Sequence, residues 1–348
     1  MTTPNRKRRL LWQIPFLLFL IVGTIYIIKQ QQDAPYQHDK GSIFGTTYSI
    51  IYQSNENLNK EILAALNEVD QSMSTFNKGS VISKINRNEQ VQPDKMFVDV
   101  FQLANKISIE TNGAFDVTVA PLVNAWGFGF KNGVHPTPQA IDSLKQFIGY
   151  QKVSYVGERI KKQDPRLMLD FSAIAKGYGS DVVANLLKRK GIENFMVEIG
   201  GEIVTRGISE KRLPWKVGVT KPTDDSLNVN QELQTILNVT DKSMATSGNY
   251  RKFYYKNGKK YAHTIDPNTG YPVQHNILSS TVLANNCAEA DAYATAFMAM
   301  GVDAACRMAE SVPEIAYYVI YADESGVHRV KMSPKLEEMI VGKAKNEK

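Results

Sequence analysis

The sequence predicts a domain that mixes helices and strands behind an uncharged N-terminal segment. Two stretches carry apolar residues at helical spacing, Leu58 to Met73 and Met96 to Ile109. Ile277 to Ala284 is typical of a strand, and Ala288 to Met300 is typical of a helix that ends at Gly301. At 348 residues and 43% hydrophobic content, the chain is long enough to bury a large core.

Basic residues are concentrated at the N-terminus. The cluster Arg6 to Arg9 supplies four of the six net positive charges, so the rest of the chain carries a net charge of only two. That balance argues against the charged surface that nucleic-acid-binding proteins present, and we expect no nucleic-acid partner. The two cysteines, Cys287 and Cys306, are too few for a disulfide framework and are expected to be small buried apolar residues.

An uncharged run of 19 residues, Leu10 to Ile28, follows the basic cluster. As a helix it would measure about 28 Å, close to the thickness of the bilayer's hydrocarbon core. The basic residues before it place the N-terminus in the cytoplasm, so we expect a single-pass protein of the bacterial inner membrane with a periplasmic domain. A cleaved signal peptide is the alternative, although no A-x-A cleavage site follows the run.

These observations give a predicted division of the chain. Residues 1–9 are a cytoplasmic basic tail, 10–28 a transmembrane helix or signal anchor, and 29–42 a polar linker. The main domain covers 43–334, beginning with a strand at Ile43 to Tyr52, and 335–348 is a fraying tail. Ala245 to Asn249 is predicted to be a polar turn.

A segment rich in chemically active side chains runs from Tyr261 to Pro272. Asn257-Gly258 before it is a strong hairpin signal, so His263 should lie on or near a returning strand. Asp266-Pro267 then begins a turn. An ordinary strand histidine and a turn-forming aspartate explain the same pattern.

A junction from Asp170 to Gly177 connects a predicted strand, Arg166 to Asp170, with a predicted helix, Ala175 to Lys190. Such junctions present backbone amides and a helix N-terminus to anions. An ordinary connection is the alternative. The next strand, Asn194 to Ile199, enters Gly200-Gly201, where backbone can approach a partner closely.

Asp291 and Thr295 are four residues apart in the predicted helix, so their oxygens project from one face. The other side chains of this helix are nearly all apolar, and a buried carboxylate needs a partner, for which a hard cation is suitable. A threonine bonded to its own helix and an early-turn carboxylate remain the alternative. The aromatic residues Trp126 and Phe128 suit either a core or a planar ligand.

Taken together, motifs from about Ile43 to about Met332 resemble the ApbE family of FAD:protein FMN transferases. The motifs follow the family's order: Met73-Ser74-Thr75-Phe76, Gly113 to Thr118 with Trp126 to Gly129, Ala175-Lys176-Gly177-Tyr178, Gly200-Gly201, Ala245 to Gly248, His263 to Pro267 with Thr269 to Pro272, and Ala290-Asp291-Ala292 with Thr295.

The resemblance implies an α+β fold, an ApbE-like domain of mixed sheet and helices. It also implies FAD as substrate and Mg²⁺ as cofactor, with FMN moved onto a threonine or serine hydroxyl of an acceptor flavoprotein subunit of the Nqr or Rnf type and AMP released. A hydrolase that cuts FAD to FMN and AMP, and a flavin-binding protein without turnover, are the alternatives.

Site residues follow from the resemblance by motif position. The implied magnesium ligands are the side chains of Asp291 and Thr295 and the backbone oxygen of Ala173. The implied catalytic residues are His263 and Asp266. The implied FAD contacts are Phe44, Phe76, Trp126, Gly127, Phe128, Asp170, Lys176, Thr264 and Ile265. The sequence departs from the family at Ser172 and Ala173, where the family has glycines, and at Phe44 and Phe76, where methionine and tyrosine are frequent.

Overall fold

The structure, a computed structural model, describes residues 5–32, 34–129, 136–222, 233–249, 253–256, 259–274 and 276–343. Its helices are α1 Asn5–Gln32, α2 Asn59–Met73, α3 Val81–Asn86, α4 Lys95–Glu110, α5 Ala120–Ala125, α6 Pro138–Lys145, α7 Ala175–Arg189, α8 Cys287–Met300, α9 Val302–Glu310 and α10 Pro334–Glu337. Its strands are β1 Tyr36–Ile43, β2 Thr46–Gln53, β3 Val153–Val156, β4 Arg159–Lys162, β5 Phe195–Ile199, β6 Glu202–Arg206, β7 Lys216–Thr220, β8 Leu233–Asn238, β9 Ser243–Gly248, β10 Phe253–Lys256, β11 Lys259–Ala262, β12 Ile277–Ala284, β13 Ala316–Ala322, β14 His328–Met332 and β15 Ile340–Lys343.

An eight-stranded sheet in the order β1-β2-β5-β6-β9-β12-β13-β14 forms the centre of the fold, and neighbouring strands pair antiparallel. Helices α2, α4, α7, α8 and α9 pack on one face through two large apolar clusters. A small sheet in the order β15-β8-β7 covers the other face. Segregation of helices to one face of an antiparallel sheet is the α+β arrangement, so the predicted fold class is confirmed.

The central sheet opens between β6 and β9. Pairing between these strands covers Ile203 with Met244 and Val204 with Ser243, and it does not continue toward Glu202. On the β6 side the chain turns away through Gly200 and Gly201, whose φ angles are +66° and +103°. Residues with a Cβ rarely adopt such angles, which explains the glycine pair. The N-terminal ends of α7 and β6 meet at this opening.

The sequence predicted the long helices and their ends well. The stripes at Leu58 to Met73 and Met96 to Ile109 form α2 and α4, and the run at Ala175 to Lys190 forms α7. Gly301, at φ +82°, ends α8 as expected. Both cysteines are free and buried, which confirms their interpretation as small apolar residues.

The predicted linker over 29–42 is wrong from Tyr36 onward, because Tyr36–Ile43 is the edge strand β1. A polar strand is stable here because it pairs with β2 and because the hydroxyl of Tyr52 donates to buried Asp39 at 3.0 Å. Phe44 and Gly45, with φ angles of +53° and +72°, form the turn between the strands. Two consecutive positive φ angles characterise the tight turns of two-residue hairpins.

Three further predictions are wrong. Arg166 to Asp170 is not a strand, although Leu167 and Leu169 are buried there. Ala245 to Asn249 is not a turn, because it belongs mostly to β9 inside the central sheet. The C-terminal segment does not fray up to Lys343: Leu336 of α10 is buried and β15 pairs with β8. Residues 344–348 lie outside the described ranges.

The uncharged run 10–28 forms part of α1. Within the part of the chain that the structure describes, no helix is both long enough and apolar enough to cross a membrane, so the predicted transmembrane anchor finds no support there.

Candidate functional site

Three charged side chains from three elements meet beside the sheet opening. Lys176 lies in the first turn of α7, Glu202 begins β6, and Asp291 projects from α8. The Nζ atom of Lys176 is 2.5 Å from Oε1 of Glu202 and 3.9 Å from Oδ1 of Asp291. The two carboxylate side chains are only 3% and 4% exposed, whereas the lysine side chain is 30% exposed. The lysine therefore connects a buried acidic pair with the surface.

A close approach of α7 to α8 creates this meeting point. A Cβ on Gly177 would lie 2.3 Å from the carbonyl oxygen of Cys287, so only glycine fits between the helices. The Gly177 amide donates to Oδ2 of Asp291 at 3.1 Å. From the next turn of α7, the carboxylate of Asp181 accepts from the amides of Cys287 and Ala288, each at 2.9 Å. Asp181 thus caps the N-terminus of α8 from the neighbouring helix.

Burial shifts the ionisation of this cluster. Burial is the largest influence on Lys176 and acts to lower its pKa, but Asp291 and Glu202 together outweigh it, so the pKa lies above its usual value. Burial raises the pKa of Glu202 and of Asp291, although Lys176 lowers both. Burial outweighs the lysine in both cases: the pKa of Glu202 is raised to about 8, the pKa of Asp291 also lies above its usual value, and Lys176 is the main charge that opposes protonation of the pair.

Hydroxyl groups extend the site along the open side of β9. Oγ of Ser247 lies 3.2 Å from Oγ1 of Thr295, one turn after Asp291 on α8. One residue earlier on β9, the hydroxyl of Thr246 forms a 2.9 Å hydrogen bond with the hydroxyl of Thr281 on β12. Asp291 and Thr295 therefore do share one helix face, as the sequence predicted, and that face meets the polar strand β9.

The β1–β2 turn forms another wall. The Cε2 atom of Phe44 is 2.8 Å from where a Cβ on Gly179 would lie, so the ring packs directly on α7. A Cβ on Gly200 would lie 2.8 Å from Thr46 and 3.3 Å from Oε2 of Glu202. Phe44 therefore packs on the helix that carries Lys176, three residues further along it. A phenylalanine at a φ of +53° is a strained conformation, which is frequent at functional sites.

The junction before α7 is shaped by Asp170. Its amide donates to the carbonyl of Val117 at 2.7 Å. Its Oδ1 accepts from the amide of Ser172 at 2.8 Å and from the Ser172 hydroxyl at 2.5 Å. Asp170 therefore holds the loop that leads through half-buried Ala173 into α7. The structural explanation for Asp170, a loop-forming residue, holds whether or not it contacts a ligand.

The His263 segment reaches β9 from another direction. Strands β10 and β11 pair antiparallel, while the predicted turn residues Asn257 and Gly258 lie outside the described residues. His263 directly follows β11 and is half-buried. The hydroxyl of buried Thr264 donates to Oδ1 of Asn249, the residue that follows β9, at 2.8 Å. His263 is thereby attached to the end of the strand that carries Ser247.

The side chain and the carbonyl of Asp266 form hydrogen bonds within the turn that follows Ile265. Its Oδ1 accepts from the amide of Asn268 at 2.9 Å, and its carbonyl accepts from the amide of Gly270 at 2.8 Å. Ile265 is buried and bridges to Pro272. The turn-forming explanation, which the sequence left open, accounts for the contacts of Asp266.

Trp126 and its neighbours belong to a separate apolar cluster around α5 and α6. The indole is buried, stacks on Tyr261 at 5.8 Å between ring centroids, and contacts Tyr271 at 5.7 Å. Its Nε1 donates to the carbonyl of Gly270 at 2.9 Å. Trp126 and half-buried Phe128 thus fix the Tyr261–Pro272 segment, and of the two roles that the sequence left open, the core role is the one that the contacts show. Phe76, in contrast, is 76% exposed.

The chain is similar to known proteins over most of its length. Residues 44–319 match the sequence model of the ApbE family. The chain belongs to the ApbE family. A curated relative from Vibrio cholerae serotype O1, named FAD:protein FMN transferase, is 38% identical over 305 residues, which cover 84% of this chain and 90% of the relative. The relative of the same name from Escherichia coli K12 is 33% identical over 293 residues, covering 82% of each chain.

Solved ApbE structures share the fold. The flavin transferase ApbE from Vibrio cholerae superposes with a TM-score of 0.79 at 36% identity, covering 88% of this chain and 99% of that one. The apo form of the Pseudomonas stutzeri flavinyl transferase ApbE gives a TM-score of 0.78 at 28% identity, covering 89% and 98%.

The donor atoms implied for Mg²⁺ in this ApbE-family chain are a carboxylate, a hydroxyl and a backbone carbonyl, from Asp291, Thr295 and Ala173. All are hard oxygen donors, and one carboxylate is typical of a Mg²⁺ ion that shares its coordination with substrate phosphates. In the described part of the chain, no group of three or more His, Cys, Asp or Glu residues is arranged as a metal cage. One carboxylate together with a hydroxyl and a carbonyl oxygen fits an ion that substrate phosphates also coordinate.

Sequence reasoning missed two residues of this site. Glu202 directly follows the Gly200-Gly201 pair, and Ser247 lies in the segment that was predicted to be a turn. The glycine pair was the available signal for Glu202, since it marks a close backbone approach. The signal for Ser247 was the run of small hydroxyl residues, which equally describes a surface loop.

Proposed function

We propose that this protein transfers FMN from FAD to a threonine or serine hydroxyl of an acceptor protein and releases AMP. The observation that carries the proposal is the cluster of Lys176, Glu202 and Asp291 at the N-terminus of α7. A cation at a helix N-terminus suits a pyrophosphate, and the curated relatives in the ApbE family are named FAD:protein FMN transferase.

The reaction exchanges one phosphate ester bond for another. The acceptor hydroxyl attacks the phosphorus of the FMN half, a new oxygen–phosphorus bond forms, and the bond to the bridging oxygen breaks, so that AMP leaves with that oxygen. Lys176 neutralises charge on the pyrophosphate oxygens. His263 takes the proton of the attacking hydroxyl, which is a weak nucleophile without a base.

Asp291, Thr295 and the backbone oxygen of Ala173 would hold Mg²⁺. When bound there, the ion supplies further neutralisation of the phosphate oxygens and helps to keep them in line for the attack. The side chain of Ser247, 3.2 Å from Thr295, orients that hydroxyl. Exposed Phe76 and the strained Phe44 supply aromatic surface for the isoalloxazine ring. Further contacts with FAD would come from Asp170, Gly127, Thr264 and Ile265.

Incubation of the full chain with FAD, Mg²⁺ and an Nqr- or Rnf-type flavoprotein subunit tests the proposal. In-gel flavin fluorescence on the acceptor is the expected result. Free FMN and AMP without a labelled acceptor would instead identify an FAD pyrophosphatase. Tight FAD binding with neither product would identify a flavin-binding protein without turnover.

The location of the domain is proposed on the sequence pattern alone. Basic residues at Arg6 to Arg9 followed by the uncharged run 10–28 support export of the domain to the periplasm, with the run either retained or cleaved. Fractionation of cells that express the full chain, followed by carbonate extraction of the membranes, tests this. A domain found in the cytoplasmic fraction contradicts it.

A further inference from the structure

Glu202 is the buried group of the site to which neither the motifs nor the reaction assigns a role. Its Oε1 lies 2.5 Å from the ammonium of Lys176, while its Oε2 has no hydrogen-bond partner among the described residues. A buried carboxylate with one unsatisfied oxygen is costly to fold, so such a group persists where it serves the site.

The backbone around Glu202 fixes its position closely. Gly200 and Gly201 turn the chain at positive φ angles, and a Cβ on Gly200 would approach Oε2 of Glu202 to 3.3 Å. The amide-to-carbonyl ladder of β5 and β6 then holds Glu202 opposite Ile199. The carboxylate is therefore anchored by a sheet, while Lys176 is a long flexible side chain with 30% exposure.

We infer that Glu202 is a positioning residue for Lys176. It holds the ammonium beside the sheet opening, at the point where the α7 N-terminus and Asp291 converge. Without it, Asp291, at 3.9 Å, is the remaining carboxylate partner of the lysine among the described residues, and the lysine side chain can turn toward solvent. This role rests on the proposed function, because it concerns the position of the Lys176 ammonium that binds the phosphate groups of FAD.

Positioning predicts a particular kinetic pattern. A misplacement of about 1 Å near the reacting atoms costs up to about 100-fold in rate. Glu202→Gln keeps the shape of the side chain but removes its charge, so we expect kcat to fall about 10- to 100-fold, the range for residues that orient a ligand. The KM for FAD should stay within about threefold or decrease, because the site loses a negative charge near the pyrophosphate.

A double-mutant cycle with Lys176→Gln tests whether Glu202 acts through the lysine. In the Lys176→Gln background, Glu202→Gln should change kcat less than about twofold, since coupled residues are non-additive. An equal loss in both backgrounds overturns the inference, as does a wild-type rate in Glu202→Gln alone. Glu198→Gln, on the adjacent strand β5 and half-buried, is the matched control and should retain wild-type kinetics.

A second readout does not depend on transfer. Acetylation of Lys176 by acetic anhydride, measured by mass spectrometry on peptides, should be at least about threefold faster in Glu202→Gln, because the amine loses the buried carboxylate that holds it at 2.5 Å and becomes more accessible to the reagent. Lys188, near the other end of α7, serves as the internal reference. If the wild type labels no acceptor but the acetylation contrast appears, the proposed function fails and the positioning role stands. Unchanged acetylation overturns the positioning role.

Discussion

The amide of Gly177 donates to Oδ2 of Asp291 at 3.1 Å, and this hydrogen bond joins the first turn of α7 to α8. It is possible because Gly177 has no Cβ, for which the carbonyl of Cys287 leaves no room. The bond places Lys176, the preceding residue, beside the same carboxylate. One glycine thus determines the spacing of the charged groups at the site.

Gly177→Ala should therefore destabilise the protein. The new Cβ would lie 2.3 Å from a backbone oxygen that cannot move without shifting α8, and overpacking of this kind costs about 1–3 kcal/mol. Gly179→Ala is the matched control, because its nearest contact is the ring of Phe44, a side chain. Thermal unfolding of both variants checks the prediction, which fails if Gly177→Ala is as stable as wild type.

Asp291→Asn should abolish most of the activity and its response to Mg²⁺ together. The amide keeps the size of the side chain but loses the charge that a cation and Lys176 both need, so we expect a loss of about 100-fold or more in transfer. Titration of the rate with Mg²⁺ measures both effects. Glu289→Gln on the same helix is the control, and a Mg²⁺ response that survives in Asp291→Asn would refute the ligand assignment.

The sequence predicted site residues correctly where the pattern lies within a single helix or a single loop. The i, i+4 spacing of Asp291 and Thr295 and the junction that leads to Lys176 both predicted side chains that the structure places at one site. Glu202 was missed because its partner comes from another element, 26 residues earlier in the chain.

Other errors have the same physical origin. Ala245 to Asn249 was predicted to be a turn because its residues are small and polar, yet the hydroxyls of Thr246 and Ser247 bond to Thr281 in the neighbouring strand β12 and to Thr295 in α8. The strand Tyr36–Ile43 resembles a linker because an edge strand exposes one side to solvent and needs few apolar residues. Tertiary pairing decides such segments, and composition does not.

His263→Ala should retain FAD binding and lose transfer. Removing a general base typically costs about 10²- to 10⁴-fold, whereas the packing of the segment depends on Thr264, Ile265 and Trp126. FAD affinity from flavin fluorescence quenching and the initial transfer rate separate the two effects. Exposed His328→Ala should leave both unchanged. A His263→Ala protein that no longer binds FAD would indicate a structural role.

Asp181 should make stability depend on pH. Burial is the main reason why its pKa is raised to about 6, although the hydrogen bonds that its carboxylate accepts from the amides of Cys287 and Ala288 lower the pKa. A carboxyl whose pKa rises from about 4 to about 6 on folding stabilises the protein most below pH 4, and that contribution is lost as the pH rises toward 6. The melting temperature of wild type relative to Asp181→Asn should therefore decrease between pH 4 and pH 7.5. A gap that widens with pH contradicts this.

The most direct test of the central claim is the stoichiometry of transfer. With FAD, Mg²⁺ and an acceptor flavoprotein subunit, the amount of AMP released should equal the amount of flavin that remains on the acceptor after denaturation. An acceptor with alanine at the target threonine should remain unlabelled, and little AMP should be released from FAD in its presence. AMP release that is independent of the acceptor, with no flavin retained on it, would contradict a transferase.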